Sequence, residues 1–175
     1  MIERATGGPS AVRIEFCFVT SAICLANPLG DLMRISRHYT NQDQSPYDLL
    51  EFRTTASEIR NPDGSIVFRL DEMEVPKRFS QVASDVLAQK YFRKAGVPAI
   101  MKKVEENSVP SWLWRSVPDD AALSKLPEEE RFIGEVSAKQ VFDRLAGTWT
   151  YWGWKGGYFD SEEDARAYFD EMRFM

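Results

Sequence analysis

The stretch AGTWTYWGWKGGYFDSEED, residues 146–164, decides how this chain is read. It holds Trp149, Trp152 and Trp154, three of the five tryptophans; Tyr151, Tyr158 and Phe159 make six aromatics in eleven residues. Glycines stand at 147, 153, 156 and 157. Just upstream, Ser137 and Gln140 have capping-box spacing, with Val136 and Val141 as the accompanying hydrophobic staple. Gly147 reads as the stop of that helix. Downstream, Asp160 with Glu163 reads as the start of another, whose apolar face is Ala165, Phe169 and Met172. The aromatics then form a connector between helices over about 137–146 and 161–175. A connector this long is functional or tightly packed. It is either a platform that stacks bases or sugars on Trp149, Trp152 and Trp154, or a plug packed within a larger assembly.

Charge bears on that choice. Base stacking needs a cationic track for the phosphates. Between Leu145 and Asp164 the one lysine is Lys155 and there is no arginine, while acids stand at 160, 162, 163, 164 and 170. The net charge of −5 also argues against a duplex-binding surface. A sugar platform needs no cations and stays open. The glycines suit close packing of backbone against rings, and the packed plug is the preferred reading.

Further toward the N-terminus, LEFRTTAS and IVFRL alternate with a period of two on either side of RNPDGS. That predicts an antiparallel hairpin over residues 49–70 turning at Asn61–Gly64. A helix over about 80–95 follows, with Ser80 as N-cap, Lys90, Arg93 and Lys94 in its last turns, Gly96 as stop and Pro98 beyond. Val82, Val86, Leu87 and Tyr91 form the stripe expected to face the core. Residues 97–136 read as a wrapped, irregular segment with one short helix near Asp119–Leu126. The fold class is α+β: a β-hairpin followed by a mainly helical segment.

With 43% hydrophobic and 28% charged residues the chain is ordinary for a globular protein, and no apolar run is long enough to span a bilayer. His38 is the one histidine. No G-x-S-x-G context partners it, so it reads as a surface or turn residue. Cys17 and Cys24 make neither a disulfide framework nor a four-ligand zinc site. The apolar run Phe16–Ala26 has the length of a signal-peptide core, but Glu15 and Glu3 weaken that reading. A strand, a short buried helix, or an extension ahead of a true start at Met33 are the alternatives.

The strings MRISRHYTNQDQSPYDLLEFR (33–53), RNPDGSIVFRL (60–70), FSQVASDVLAQKYFRKAGVP (79–98), VPSWLWRS (109–116) and the run from Gly134 to Met175 resemble the N-terminal region of adenosylcobalamin-dependent, class II ribonucleotide reductases. The resemblance covers residues 33–175 and leaves 1–32 as an extension outside the family pattern. It implies a cytoplasmic enzyme that reduces ribonucleotides to deoxyribonucleotides for DNA synthesis. The expected mechanism uses adenosylcobalamin and a thiyl radical on a cysteine within a ten-stranded α/β barrel. A cysteine pair, a thioredoxin-type reductant and deoxynucleotide effectors are implied as well, and a homo-oligomer is compatible with it. The family's catalytic groups, and a substrate-contacting Pro-Asn-Ser-Pro segment, fall beyond Met175. No catalytic, cofactor-binding or metal residue is therefore assigned here. Cys17 and Cys24 lie in the unmatched extension, and a thiyl mechanism with a reducible pair needs three cysteines. The chain, ending within a helix on RFM, is expected to be an inactive piece of a longer enzyme, with residues 1–32 packing poorly and Phe169, Met172 and Phe174 partly in water.

Overall fold

Strands β1 (Phe52–Arg60) and β2 (Ile66–Pro76) pair antiparallel in the computed structural model, which describes residues 32–175. The turn is the expected one. Asn61 N–H donates to the Ser65 carbonyl at 2.8 Å and Gly64 N–H to the Asn61 carbonyl at 2.9 Å. Gly64 sits at φ 88°, a conformation that a side chain would strain. Strand β2 runs six residues past the expected end at Leu70. Register shifts at Thr55/Ser57 and Ile59/Arg60 interrupt the period-two alternation. The first leaves the Ala56 carbonyl free to accept from Gln81 Nε2 at 2.8 Å, which ties the hairpin to the next helix.

That helix, α1 (Gln81–Val86), starts at Ser80, whose hydroxyl accepts from Ala83 N–H at 3.2 Å. It continues as a π-helical turn, Leu87–Tyr91, and stops there instead of at residue 95. Arg93 and Lys94 therefore lie outside the helix. Its inward face is also not the expected stripe. Val82, Val86 and Tyr91 are exposed, at 72%, 49% and 53%, and only Leu87 of the four is buried. Ser84 and Ala88, both fully buried, turn toward the hairpin. Small side chains let the helix backbone sit close to the sheet, and Arg53 secures the contact by donating to the Phe79 carbonyl at 3.0 Å.

Residues 97–133 are irregular, as expected, but carry two small antiparallel pairs: β3 (Val97–Pro98) with β6 (Phe132–Ile133), and β4 (Met101–Lys103) with β5 (Ser116–Pro118). The expected short helix is α2 (Asp120–Leu123), capped by Asp119, and α3 (Glu128–Arg131) follows it.

The largest departure lies in the aromatic stretch. Helix α4 runs from Ala138 to Lys155, through Gly147 and all three tryptophans. The capping box of Ser137 and Gln140 is present. A glycine inside a helix costs only about 1 kcal/mol, and packing against helix α5 (Glu162–Phe174) outweighs that here. The chain leaves the helix at Gly157, which adopts φ 67°. The N-cap of α5 is Ser161, not Asp160: its hydroxyl accepts from Asp164 N–H at 3.1 Å.

The core is shared by three elements. Met73 and Val75 of β2 meet Leu87, Ala88 and Phe92 on one side and Ala138 and Val141 of α4 on the other. Among the described residues the result is mixed helix and antiparallel sheet. The run 16–26, Cys17 and Cys24, and the expected loose packing of residues 1–32, fall outside the described residues except at Leu32.

Candidate functional site: the aromatic face of the long helix

A helix of 18 residues turns the aromatic cluster into two separate surfaces. Tyr151, Trp154 and Lys155 point at the irregular segment. Tyr151 donates its hydroxyl to Glu106 Oε1 at 2.7 Å, Lys155 Nζ reaches the same oxygen at 3.0 Å, and Trp154 Nε1 donates to the Ser108 carbonyl at 2.6 Å. Arg115 adds a third donor to Glu106 at 3.0 Å. The hydrogen bond from Tyr151, followed by those from Lys155 and Arg115, holds the Glu106 carboxyl down at about 2. The same bond raises the Tyr151 hydroxyl above its usual range. These aromatics bind their own chain.

The other surface is different. Ala138 and Val141 are buried under the hairpin, and Phe142 and Leu145 pack beside them. Trp149 and Trp152 follow four and seven residues after Leu145, so they prolong the same stripe of the helix. The hairpin does not extend that far. Trp149 is 41% exposed and Trp152 63%, and Tyr158, just past the helix end, is 47% exposed. One apolar stripe is thus covered over its first half and open over its second.

The third face of α4 receives α5. Thr150 is fully buried and donates its hydroxyl back to the Ala146 carbonyl at 2.7 Å. Gly153 lies under the ring of Phe159, which is buried and packs on Tyr168 with ring centroids 5.5 Å apart. Phe169, Met172 and Phe174 are each half-buried, as expected.

Carboxylates hold the remaining joints. Glu135, 3% exposed, accepts from Arg93 N–H and Arg93 Nε at 2.9 Å each and from Arg144 Nε and Nη2 at 2.9 and 3.0 Å. Burial works to raise its pKa, but the bonds from Arg144 and Arg93 win and the net shift is downward. Glu74 binds Lys139 and Ser137 across the start of α4. Sequence reading missed these acids because each is an isolated residue in an irregular or ordinary context. The closest signal was the placement of Glu135 two residues before the capping-box serine.

His38 is exposed, with its ring edge-on to Tyr39 at 4.5 Å, as expected for a surface residue. Among the described residues no group of three or more His, Cys, Asp or Glu side chains is arranged to hold a metal. Among the same residues no helix is long and apolar enough to cross a membrane. Of the three tryptophans, Trp154 is tied to the Ser108 carbonyl, while Trp149 and Trp152 remain exposed.

Residues 53–175 match the family described as class II vitamin B12-dependent ribonucleotide reductase. Over 143 residues, 82% of this chain, the sequence is 71% identical to a vitamin B12-dependent ribonucleotide reductase of Bradyrhizobium diazoefficiens and 66% identical to one of Agrobacterium fabrum. A protein of the same name from Rhodopirellula baltica is 23% identical over 140 residues. The chain spans 11% of the length of the first two relatives. Matching over well more than half its length, the chain belongs to the class II vitamin B12-dependent ribonucleotide reductase family.

Proposed function

We propose that this chain is a non-catalytic N-terminal region of an adenosylcobalamin-dependent reductase that converts ribonucleotides to deoxyribonucleotides, and that it braces the catalytic α/β barrel of such an enzyme. The proposal places residues 33–175 in that region and 1–32 outside the family pattern. Family membership supports the reaction. The half-covered stripe of α4 carries the bracing role. Two tryptophans and a tyrosine in water over adjoining turns form a patch of the kind that marks a missing partner surface. The catalytic part supplies the radical and redox cysteines, because two cysteines in this chain cannot furnish a thiyl and a reducible pair. A thioredoxin-type reductant, deoxynucleotide effectors, a cytoplasmic setting and a supply of precursors for DNA synthesis belong to that whole enzyme.

Oxidative footprinting tests the bracing role. Trp149 and Trp152 should label readily in the 175-residue chain and be shielded when the chain is extended through the barrel. Equal labelling in both would refute the docking. Trp149→Ala with Trp152→Ala in the extended enzyme should loosen the region, read as faster proteolysis between it and the barrel. Ribonucleotide reduction should be found in the extended enzyme and not in the 175 residues. A platform for sugar or single-stranded nucleic acid would instead show ligand-dependent protection of the two indoles in the short chain.

A further inference from the structure

Residues 33–42 run as an irregular strap, bent at His38 and Tyr39, along the start and outer face of α5. At one end Met33 exchanges backbone hydrogen bonds with Tyr158 and Asp160, at 2.7 and 3.0 Å. Beyond that the acceptors on α5 are all carboxylates. Ile35 N–H donates to Asp164 at 2.7 Å, and Arg37 reaches Glu163 at 3.1 Å and Asp170 at 2.8 Å. Glu171, 8% exposed, takes the largest share. Its Oε1 accepts from the backbone N–H groups of His38, Tyr39 and Thr40 at 2.9, 3.0 and 2.9 Å and from the Thr40 hydroxyl at 2.8 Å. Three consecutive amides converging on one buried carboxylate make a strong joint, since hydrogen bonds to a charged acceptor are stronger than those between neutral groups.

The strap has almost nothing else to hold it. Within 33–42 only Thr40 is buried, and none of these residues belongs to the apolar core. Its apolar contact is the stack of Tyr39 on Phe174, with ring centroids 5.2 Å apart. The carboxylates Glu135 and Glu74, by contrast, join elements that also share Met73, Val75 and Val141. A segment held mainly by polar contacts, outside the apolar core, opens locally, at lower cost than global unfolding.

We propose that residues 33–42 form a latch that opens as one unit, independently of the core, when the carboxylates of α5 are neutralised, with Glu171 as its main bolt. Opening bares the acidic outer face of α5. The other charged and titratable groups around the bolt are Arg37 and His38 on the strap, Asp170 and Arg173 on α5, Tyr47 in the turn before β1, and Asp143 of α4, which Arg173 engages at 2.9 Å. Burial opposes ionisation of Glu171, but the bonds from Thr40, His38 and Tyr39 leave its pKa lowered. The latch is therefore closed at neutral pH, and its hold is lost as pH falls through the lowered carboxylate value.

Amide hydrogen exchange in the 175-residue chain tests this at pH 7. Glu171→Gln should speed exchange at His38, Tyr39 and Thr40 by at least about ten-fold, with Met73, Val75 and Val141 unchanged. Unchanged exchange at 38–40, or equal acceleration in the core, overturns the proposal. Should Glu171→Gln fail to fold, Thr40→Val removes one donor and keeps the charge, and a smaller acceleration confined to the strap is expected. In the wild-type chain the three amide resonances should move together below pH of about 4.3 while Met73, Val75 and Val141 keep their exchange protection. Movement in the histidine range would assign the change to His38, and movement only with global unfolding would make the strap part of the core; either result overturns the latch.

Discussion

Gly147 and Gly153 sit six residues apart on one helix and have opposite consequences. A Cβ at Gly147 would meet Phe169 Cε2 at 3.7 Å, an ordinary contact. Gly147→Ala should therefore gain helix propensity and raise stability by about 0.5–1 kcal/mol, seen as a higher midpoint in thermal unfolding. A Cβ at Gly153 would lie 2.7 Å from Phe159 Cε2 and 3.0 Å from Cζ. That ring is buried against Tyr168 and has nowhere to go. Gly153→Ala should lower stability by about 1–3 kcal/mol in spite of its better propensity. Both glycines look alike in the sequence. What separates them is the ring that lies over each, and no local pattern announces that ring.

At the scale of elements, the joints are carboxylates placed between segments of irregular backbone. Glu135 links the chain after the π-helical turn to the middle of α4 through Arg93 and Arg144. Glu135→Ala removes four accepted hydrogen bonds and leaves two guanidinium groups without their partner. A loss of about 3 kcal/mol is expected, less than for a fully buried pair because Arg93 is half exposed to water. Denaturant unfolding measures it, and Glu135→Gln should recover part of the loss. The hairpin, the N-cap at Ser80, the capping box at Ser137 and the short helix after Asp119 were legible because each follows from residues close together in the chain. The inward face of α1 was not. Its valines obey helical spacing, yet the face that packs is the one with Ser84 and Ala88, because closeness of backbones to the hairpin outweighed side-chain apolarity.

For the whole molecule, the shared dependence on carboxylates sets the response to acid. Glu74, Glu106, Glu135, Asp164 and Glu171 all have pKa values lowered in the folded state by hydrogen bonds and cationic neighbours. Such groups contribute stability that is fully present above their unfolded values, roughly 3.9 for Asp and 4.3 for Glu, and lost as pH falls through the folded ones. The thermal midpoint should hold level from neutral pH down to about 5 and then drop steadily toward pH 2. A midpoint that rises on acidification would contradict the assignment of these carboxylates as joints. The strap should come free at the start of that fall, ahead of the core. The open half of the α4 stripe adds a second expectation: the 175 residues alone should bind a hydrophobic dye, and extension through the barrel should abolish that binding.

By itself the sequence determined the family, the hairpin and its turn, the helix starts at Ser80, Asp119 and Ser137 and the absence of three cysteines, because these rest on residue identity and on short-range geometry. The tertiary structure alone decided that the aromatic stretch is helix and not connector. Gly147 read as a helix stop and Gly153, Gly156 and Gly157 as close-packing glycines of a connector, but only Gly157 adopts a left-handed φ within this run. Gly147 and Gly153 stay helical because α5 and Phe159 pack against the space their missing side chains leave. The same packing split the stretch's four helical aromatics into a face bound to Glu106 and Ser108 and a face left open at Trp149 and Trp152. Helical spacing shows which residues share a face; what covers the face depends on elements distant in the chain.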